Sequence, residues 1–310
     1  MLEENDYNCL AEGEALRDNY RIKEILSISE LSVVYIGYDL KNQRNCIIKE
    51  YFPKKVVLRD LDKRTVLCKM PSLKDKYYNS LKMFFNEAIF LKMFNHKNIA
   101  RYIDHFLENN TGYIVMEYYE GLTLDEYMKE EIEISLPCFF EKIFIHVINA
   151  VIEMHKKGIL HRDIKPTNIV ICQNDVPVII DFGSAIFYKN RDKRDIFVTP
   201  GFSPLEFYSG RTKQGKYSDI YCLAATLYYY LCGIKPDDVP QRVIEDNIEG
   251  IKKYNDQITP LFAKVIMKSL SLNYKKRLSS LKLFKMFVYI EYMILKIKDR
   301  ISEESDFENQ

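Results

Sequence analysis

Short runs of alternating apolar and polar residues dominate the first 120 positions, a pattern typical of β-strands. Five such runs are present: 20–26, 33–38, 45–51, 99–106 and 112–118. Between the third and the fourth, residues 77–94 repeat apolar side chains at helical spacing. The charged stretch 54–75, with Pro53 and Pro71 near its edges, predicts a loop. The first half of the chain is therefore predicted to be a small sheet with one helix.

The pattern becomes mostly helical in the second half of the chain. Residues 137–157 place apolar side chains on one wide stripe, and Ser135 and Gly158 mark a start and a stop for this helix. Two short strands, 169–172 and 177–180, interrupt the helical pattern before it resumes. A small sheet lobe is therefore predicted to precede a larger helical lobe.

A last amphipathic helix is predicted near the end of the chain. The helix predicted at 281–298 is apolar on more than one face. Three roles are open for this helix: packing on the large lobe, a dimer or partner contact, or binding to a membrane surface. The acidic tail at 302–310 is predicted to be disordered. Four segments are predicted: an N-terminal extension at 1–19, a sheet lobe at 20–119, a helical lobe at 120–286, and a C-terminal helix extension with the acidic tail at 287–310.

Composition limits the classes of function. Apolar residues make up 47% and charged residues 29% of the chain, as in ordinary soluble globular proteins. The net charge of +1 creates no strong field for nucleic acid, so no such partner is expected. Seven cysteines without a CxxC pair disfavour a disulfide scaffold or a zinc site and favour a reducing, cytoplasmic location. No apolar run is long enough for a transmembrane segment, and the N-terminus lacks the apolar core of a signal peptide.

Three motifs in one order carry the chemistry. HRDIKPTN spans 161–168, DFG spans 181–183, and TPGFSPLE spans 199–206. Together they resemble the signature set of eukaryotic-like serine/threonine protein kinases, and the order is far more specific than any single motif. The segments IKEYFP at 48–53 and PDDVPQR at 236–242 resemble the soluble bacterial group of these kinases.

The resemblance extends over about residues 20–286 and implies a fold and an activity. The fold is α+β and bilobal, with a small antiparallel β-sheet N-lobe that carries one helix and a larger, mostly helical C-lobe. The implied activity is transfer of the γ-phosphate of ATP to protein hydroxyls, including autophosphorylation.

Four residues of these motifs receive roles from the resemblance. Asp163 would accept the proton of the substrate hydroxyl, and Lys165 would hold the γ-phosphate next to the attacking oxygen. Asn168 and Asp181 would supply oxygen ligands to Mg²⁺ or Mn²⁺, the cations that bridge the phosphates of ATP. Lysine at position 165 resembles serine/threonine rather than tyrosine kinases. The expected ligands and partners are ATP, a divalent cation and a protein substrate.

Two further charged residues fit the family pattern upstream. Lys49 ends the segment CIIK, where the family has VAIK, and Glu87 opens an ExxxL segment in the predicted helix. The resemblance implies that Lys49 contacts the α- and β-phosphates and that Glu87 is its partner. Taken alone, the two residues have another interpretation, namely a solvated strand lysine and an exposed helix acid.

Six residues are expected, by the same resemblance, to contact the adenine ring of ATP. Met116 would lie behind the ring as the gatekeeper, and backbone groups of Glu117 and Tyr119 would hydrogen-bond its edge. The two faces of the ring would be covered by three apolar side chains: Val34, Ile47 and Val170. Core packing is an alternative, and compatible, interpretation of the apolar members.

The phosphate-covering loop departs from the family pattern. The three glycines of GxGxxG fall on Ser27, Ser29 and Ser32. Each added Cβ narrows the approach of phosphate to the backbone, while each hydroxyl could donate to phosphate. Glu30 adds a negative charge near the triphosphate. Weaker ATP binding than is usual for the family is therefore predicted.

Two other functions compete with an active protein kinase. The first is a pseudokinase scaffold with impaired ATP binding, which only the glycine-free loop favours. The second is a small-molecule kinase of the antibiotic or choline type, which would lack the 199–206 segment and the spacing of Lys165. Four supporting contacts are also predicted: Glu206 with Arg277, Asp219 with the catalytic-loop backbone, the Thr199 hydroxyl with the catalytic residues, and Arg162 with Asp192 or Asp195. The last contact would make activity independent of loop phosphorylation, and a solvated run of charges is its alternative.

Overall fold

Strands are the main regular structure of the N-terminal unit, which ends at Tyr119 in the computed structural model. The structure describes residues 8–130, 132, 134–188 and 196–308, with side chains as far as residue 301. The strands are β1 (Ala15–Leu16), β2 (Tyr20–Ile28), β3 (Ser32–Asp39), β4 (Arg44–Tyr51), β5 (Val57–Arg59), β6 (Val66–Cys68), β7 (Tyr102–Glu108) and β8 (Thr111–Glu117). One antiparallel sheet has the order β1-β2-β3-β4-β8-β7, and β5 pairs with β6. The five predicted strands are confirmed, with the fourth shifted towards Glu108.

Residues 8–19 belong to this sheet rather than to a separate extension. β1 pairs with β2, so that Leu16 lies opposite Tyr20. Leu10 is buried, and its N–H donates to the hydroxyl of Tyr35 at 3.0 Å. The described part of the N-terminal extension predicted at 1–19 therefore helps to close the core, and its boundary at residue 19 stays a prediction.

The stretch 54–75, predicted to be a loop, contains the β5–β6 hairpin and the start of a helix. The Asp62 carboxylate accepts the N–H groups of Arg64 and Thr65, each at 2.8 Å, and this turn closes the hairpin. The hairpin buries Val57 and Val66. The loop prediction was wrong because charged turn residues obscured two short apolar runs.

The hairpin also brings Arg59 onto a buried carboxylate. Two guanidinium nitrogens of Arg59 donate to Glu50 at 3.0 and 2.7 Å, and both side chains are at most 1% exposed. The hydroxyls of Tyr35 and Tyr113 donate to the same carboxylate at 2.7 and 2.9 Å. Burial, followed by the charge of Glu50, raises the pKa of both phenols. All these groups are paired, so the network ties β3, β4, β5 and β8 together.

The helix predicted at 77–94 is two helices. They are α1 (Lys74–Phe84) and α2 (Asn86–Lys92), and Phe85 separates them. Phe85 lies edge-on to His105, with ring centroids 5.3 Å apart. A Cβ on Gly112 would come within 2.7 Å of Phe85 and of Leu81, so this glycine permits the close approach of α1 to β8. Hydrophobic period alone gave no sign of the break.

The C-terminal unit begins at Glu120 and is mostly helical. Its helices are α3 (Leu124–Lys129), α4 (Leu136–Cys138), α5 (Ile145–Lys156), α6 (Lys216–Cys232), α7 (Val239–Ile244), α8 (Pro260–Ser269) and α9 (Leu281–Glu308). Its strands are β9 (Gly121–Thr123), β10 (Ile159–Leu160), β11 (Ile169–Cys172), β12 (Val176–Ile179) and β13 (Ile186–Phe187). β11 pairs with β9 and β12, and β10 pairs with β13. The helix α9 continues to Glu308, into the tail that was predicted to be disordered.

The long amphipathic helix predicted at 137–157 has an irregular first half. A π-helical segment, Phe139–Phe144, lies between α4 and α5. The wider turn lets Phe139 and Phe140 both be fully buried. The predicted ends are confirmed, because the Ser135 hydroxyl caps α4 and Gly158 follows α5 with φ +80°.

One predicted contact of the fold is also confirmed. Arg277 donates to both carboxylate oxygens of Glu206, at 2.7 and 3.1 Å. The side chains are 0% and 4% exposed, so the pair anchors the 199–206 segment inside the unit. Among the described residues, the structure offers no helix with the length and apolarity that a bilayer crossing requires.

The Glu50–Arg59 pair generates a stability prediction. Arg59→Met leaves the Glu50 carboxylate buried without its cation, so we expect a loss of about 3–5 kcal/mol in the free energy of unfolding. Urea denaturation followed by circular dichroism measures this loss. Adding Glu50→Gln removes the uncompensated charge and should restore part of the stability.

Arg64→Met is the matched control for this experiment. Its side chain is 44% exposed where it pairs with Glu14, so the change should cost less than about 1 kcal/mol. An Arg59→Met protein as stable as the control would show that Glu50 does not depend on its cation.

Candidate active site

A buried carboxylate fixes the backbone of the loop that follows β10. Asp219, on α6, accepts the N–H of His161 at 3.1 Å and the N–H of Arg162 at 2.9 Å. His155 lies 2.7 Å from the same carboxylate. Burial acts to raise the pKa of Asp219, but these hydrogen bonds outweigh it and hold the pKa below its usual value. The predicted contact of Asp219 with the loop is confirmed, whereas His155 was missed.

The loop leads directly to Asp163, whose carboxylate has three donors around it. The Thr199 hydroxyl donates to Oδ1 at 2.9 Å. The Lys165 ammonium and the Asn168 amide reach Oδ2, each at 2.8 Å. Lys165 also donates to the Thr199 hydroxyl at 3.0 Å, which confirms the predicted contact of Thr199 with this group. Asp163 is 16% exposed at its side chain, so the carboxylate is held in one orientation and still reachable.

Asn168 and Asp181 present oxygen atoms near the same loop. The Asn168 amide nitrogen donates to the backbone and the side chain of Asp163, which leaves its Oδ1 as the acceptor. The N–H of Ile180 donates to the Asn168 carbonyl at 3.0 Å, so Asp181 follows directly on this contact. Asp181 has φ +64°, and its Oδ1 accepts the N–H of Gly183 at 3.1 Å.

This donor set fits a magnesium-type cation that is shared with phosphate. Amide and carboxylate oxygens are the ligands that hard cations prefer. Among the described residues, no group of three or more His, Cys, Asp or Glu side chains could hold a metal ion. Mg²⁺ often takes only one or two protein ligands and completes its shell with water and substrate phosphates. Asn168 and Asp181 match that mode, and their role as ligands stays a prediction.

A second charged pair lies within the N-terminal unit. The Lys49 ammonium on β4 lies 2.8 Å from Glu87 on α2. Their side chains are 12% and 1% exposed, so neither is the solvated surface charge of the alternative interpretation. A buried pair of this kind fixes the direction of the lysine side chain. Contact of Lys49 with phosphate stays a prediction.

The four apolar residues predicted around adenine lie on four strands. Ile47 on β4 stands opposite Met116 on β8, and Met116 is 7% exposed. Val34 lies on the neighbouring β3, and Val170 lies on β11 of the C-terminal unit. The structure brings Ile47 and Met116 together; adenine binding by these four residues stays a prediction.

The segment at the end of β8 is held by contacts that the sequence analysis missed. The Glu117 N–H donates to the Arg101 carbonyl at 3.0 Å, so this N–H is already engaged and is not left for an adenine edge. Its carboxylate accepts from Arg44 at 2.8 Å and from the Tyr119 hydroxyl at 3.1 Å. The antiparallel register, in which Cys46 stands opposite Glu117, is the signal that could have identified Arg44.

The serine-substituted loop forms a closed turn between β2 and β3. The Ser29 hydroxyl accepts the N–H of Ser32 at 3.0 Å and the N–H of Leu31 at 3.3 Å. It also donates to the Ser32 carbonyl, and the two serine hydroxyls lie 3.0 Å apart. Ser27 pairs with Val34 at the end of β2. The hydroxyl of Ser29 therefore caps the turn, as side chains of this type do.

Two backbone contacts fasten the tip of this turn. The Leu31 carbonyl accepts the N–H of Phe52, and the Glu30 carbonyl accepts the N–H of Lys54. Lys55 pairs with the Glu30 carboxylate at 3.0 Å, and this hydrogen bond lowers the pKa of Glu30. The negative charge of Glu30, which was predicted to oppose phosphate binding, is thus paired with the charge of Lys55.

Arg162, directly before Asp163 in the loop, has contacts within the C-terminal unit. It donates to the Ser184 carbonyl at 3.2 Å and lies over the Phe207 ring at 5.3 Å from the centroid. Its own φ is +70°, which the capped loop enforces. The predicted pairing with Asp192 or Asp195 concerns positions outside the described residues.

Known proteins share both the sequence pattern and the fold. The family model described as the protein kinase domain matches residues 53–289. The serine/threonine-protein kinase PknB of Mycolicibacterium smegmatis is 30% identical over 273 residues, which are 83% of this chain and 40% of the relative. A probable serine/threonine-protein kinase of Clostridium perfringens is 31% identical over 212 residues, 64% of this chain and 30% of that protein. The chain thus spans less than half the length of these curated relatives.

A solved structure gives the same result for the fold. The structure described as the apo form of PpkA-294 matches with a TM-score of 0.75 and 27% identity. The match covers 91% of this chain and 99% of that one. With the domain match and the motifs in register, these findings show that the chain belongs to the protein kinase family and resembles its bacterial serine/threonine members.

Proposed function

We propose that this chain is an active, ATP-dependent serine/threonine protein kinase. The observation that carries the proposal is the Asp163 carboxylate, which Thr199, Lys165 and Asn168 hold in one orientation. A carboxylate positioned by three donors is pre-organised to accept a hydroxyl proton, and phosphoryl transfer depends mainly on positioning and on charge neutralisation.

The chemistry follows from what each group can hold. Asp163 orients the substrate hydroxyl and takes its proton as the oxygen attacks the γ-phosphorus. Lys165 forms an ion pair with Asp163 and a hydrogen bond with Thr199, so its ammonium lies where it can attract the γ-phosphate. Lys49, directed by Glu87, provides a cation for the remaining phosphates. Asn168 and Asp181 would hold Mg²⁺ or Mn²⁺, which supplies positive charge to the phosphates when bound.

The substrate class and the location belong to the same proposal. The 199–206 segment is anchored by the Glu206–Arg277 pair, and this segment offers a platform for a protein substrate rather than a small molecule. Autophosphorylation is expected at serine or threonine residues away from Thr199 and Ser203, because the Thr199 hydroxyl donates to Asp163 and the Ser203 hydroxyl accepts the N–H of Thr199. All seven cysteines are free thiols, which supports a reducing, cytoplasmic location.

A pseudokinase scaffold is the second candidate function. The closed serine turn is the observation that favours it, because three side chains stand where the family has open glycine backbone. The two functions differ in a measurable way, since a scaffold would show neither nucleotide-dependent transfer nor sensitivity to loss of the base.

The role of Asp163 is tested by Asp163→Asn. We expect transfer of labelled γ-phosphate to casein to fall by roughly 10²- to 10⁴-fold, because the amide cannot take the proton. ATP affinity, measured by calorimetry with Mg²⁺, should change little. Asp175→Asn is the matched control, since Asp175 pairs with the half-exposed Lys142 and with Tyr127 and lies outside the motifs.

The scaffold interpretation predicts a different result. Wild type and Asp163→Asn would then be equally inactive at saturating ATP with either Mg²⁺ or Mn²⁺. That result would reject the kinase proposal.

The serine turn generates a prediction about ATP affinity. Replacing Ser27, Ser29 and Ser32 together by glycine opens the backbone, so we expect ATP to bind roughly threefold to tenfold more tightly. The triple alanine variant is the control, because it removes the hydroxyls and keeps each Cβ. It should bind ATP no better than wild type. Equal or weaker binding by the glycine variant would show that the serine side chains do not hinder the nucleotide.

A further inference from the structure

The helix α9 has two apolar faces, and only one of them packs on its own unit. The packed face contacts α4, α5 and α8. Five of its apolar side chains are at most 5% exposed: Leu281, Phe284, Val288, Tyr292 and Leu295. Together they account for the docking of α9, and they leave the opposite side of the helix uncovered.

The second face is a continuous stripe of exposed apolar side chains. Its members, with their exposed fractions, are Leu283 (38%), Met286 (46%), Ile290 (41%), Met293 (40%), Ile297 (54%) and Ile301 (61%). The stripe is offset from the packed face by two residues, which is about 200° around a helix. It runs for about 27 Å along the axis, so one lobe cannot cover both faces.

The spacing of the stripe matches the seam of a coiled coil. From Leu283 to Ile297 the intervals are three, four, three and four residues. This alternation places Leu283, Ile290 and Ile297 at a positions and Met286 and Met293 at d positions of a heptad. An apolar helix face that packs within one chain does not require strict alternation of three- and four-residue intervals. The alternation therefore fits packing against a second α9.

We propose that α9 is a self-association surface, on which α9 of a second copy of this chain packs in antiparallel orientation. In the register that we propose, a two-fold axis relates the layers of the seam to one another. They are Leu283 against Arg300, Met286 against Ile297, and Ile290 against Met293. The half-buried Phe287 and Ile294 of the two copies then flank the seam on one side.

The charges along the helix favour the antiparallel orientation. Residues 281–298 carry four lysines and one glutamate, whereas 299–308 carry five carboxylates and one arginine. In this antiparallel register, positions 299 and 303 of one helix lie level with positions 284 and 280 of the other, so two of the five carboxylates come near Lys282 and Lys285. A parallel pair would place like charges together and would stack Arg300 on Arg300 in a d layer, which is unfavourable.

Analytical ultracentrifugation of the full chain tests the association. At loading concentrations of about 1 to 100 µM, which bracket a weak interface, we expect a species of twice the 36.8 kDa monomer mass. Ile290→Glu puts a charge in the central layer, so it should raise the dissociation constant by about 30-fold or more. Ile244→Glu is the matched control, since Ile244 is 89% exposed on α7 and should leave the dimer intact.

Cysteine cross-linking tests the orientation. In the antiparallel pair Met286 meets Ile297, while the two copies of Met286 are about 16 Å apart along the axis. Under mild oxidation, only the double variant Met286→Cys/Ile297→Cys should therefore form a covalent dimer above the background of the native thiols. Dimers from each single variant would reveal a parallel pair and overturn the proposed orientation.

Two other outcomes would overturn the proposal itself. The first is a wild-type chain that stays monomeric over the whole concentration range. The second is a monomer that binds vesicles of phosphatidylserine and phosphatidylcholine and loses this binding in Ile290→Glu, since the stripe would then serve a lipid surface. Kinase activity of the monomeric Ile290→Glu variant shows that its fold is intact, so a failed dimer and a failed kinase assignment remain distinguishable.

Discussion

The hydrogen bonds from the catalytic-loop backbone to Asp219 are the constraint on which the site depends. A buried carboxylate must be satisfied, and here two successive N–H groups and His155 satisfy it. This requirement holds Arg162 at φ +70°, a conformation that costs free energy for a side chain of this size. The strained residue turns the chain so that Asp163 meets Lys165 and Asn168. Geometry at the Asp163 carboxylate, the proposed base, is thus supported by a buried group on α6.

The N-terminal unit uses a second buried carboxylate for a comparable purpose. Glu50 lies next to Lys49 on β4, and the two side chains point to opposite faces because strand residues alternate. The face with Glu50 is fixed by Arg59 and by two tyrosine hydroxyls. The strand cannot slip by one residue without burying Lys49 and expelling Glu50. The register that directs Lys49 to Glu87 is therefore protected from the other side of the sheet.

Residue order along the chain was sufficient to predict the five longer strands of the N-terminal sheet, the motifs and the Thr199 and Asp219 contacts, because each rests on local spacing or on a motif in register. The hairpin with Arg59 was missed, because its two strands have only three residues each and its turn residue Asp62 looks like an ordinary loop charge. The interruption at Phe85 was not predicted, because hydrophobic periodicity indicates which face of a helix is apolar and not whether the helix is continuous. The capping role of Ser29 was missed because a hydroxyl in a loop can point to ligand or to backbone, and only the local dihedral angles decide.

In the fold, in the site and on α9, apolar burial and charged groups have different roles. Apolar burial supplies most of the free energy and is non-directional, so it fixes which faces are covered but not their register. Register comes from a few buried charged groups whose partners are fixed, such as Arg59 on Glu50 and Arg277 on Glu206. On α9 the methionine and isoleucine side chains of the exposed seam would pack in either direction, and the segregated charges distinguish the two. A helix whose seam were apolar without this segregation would associate without a defined geometry.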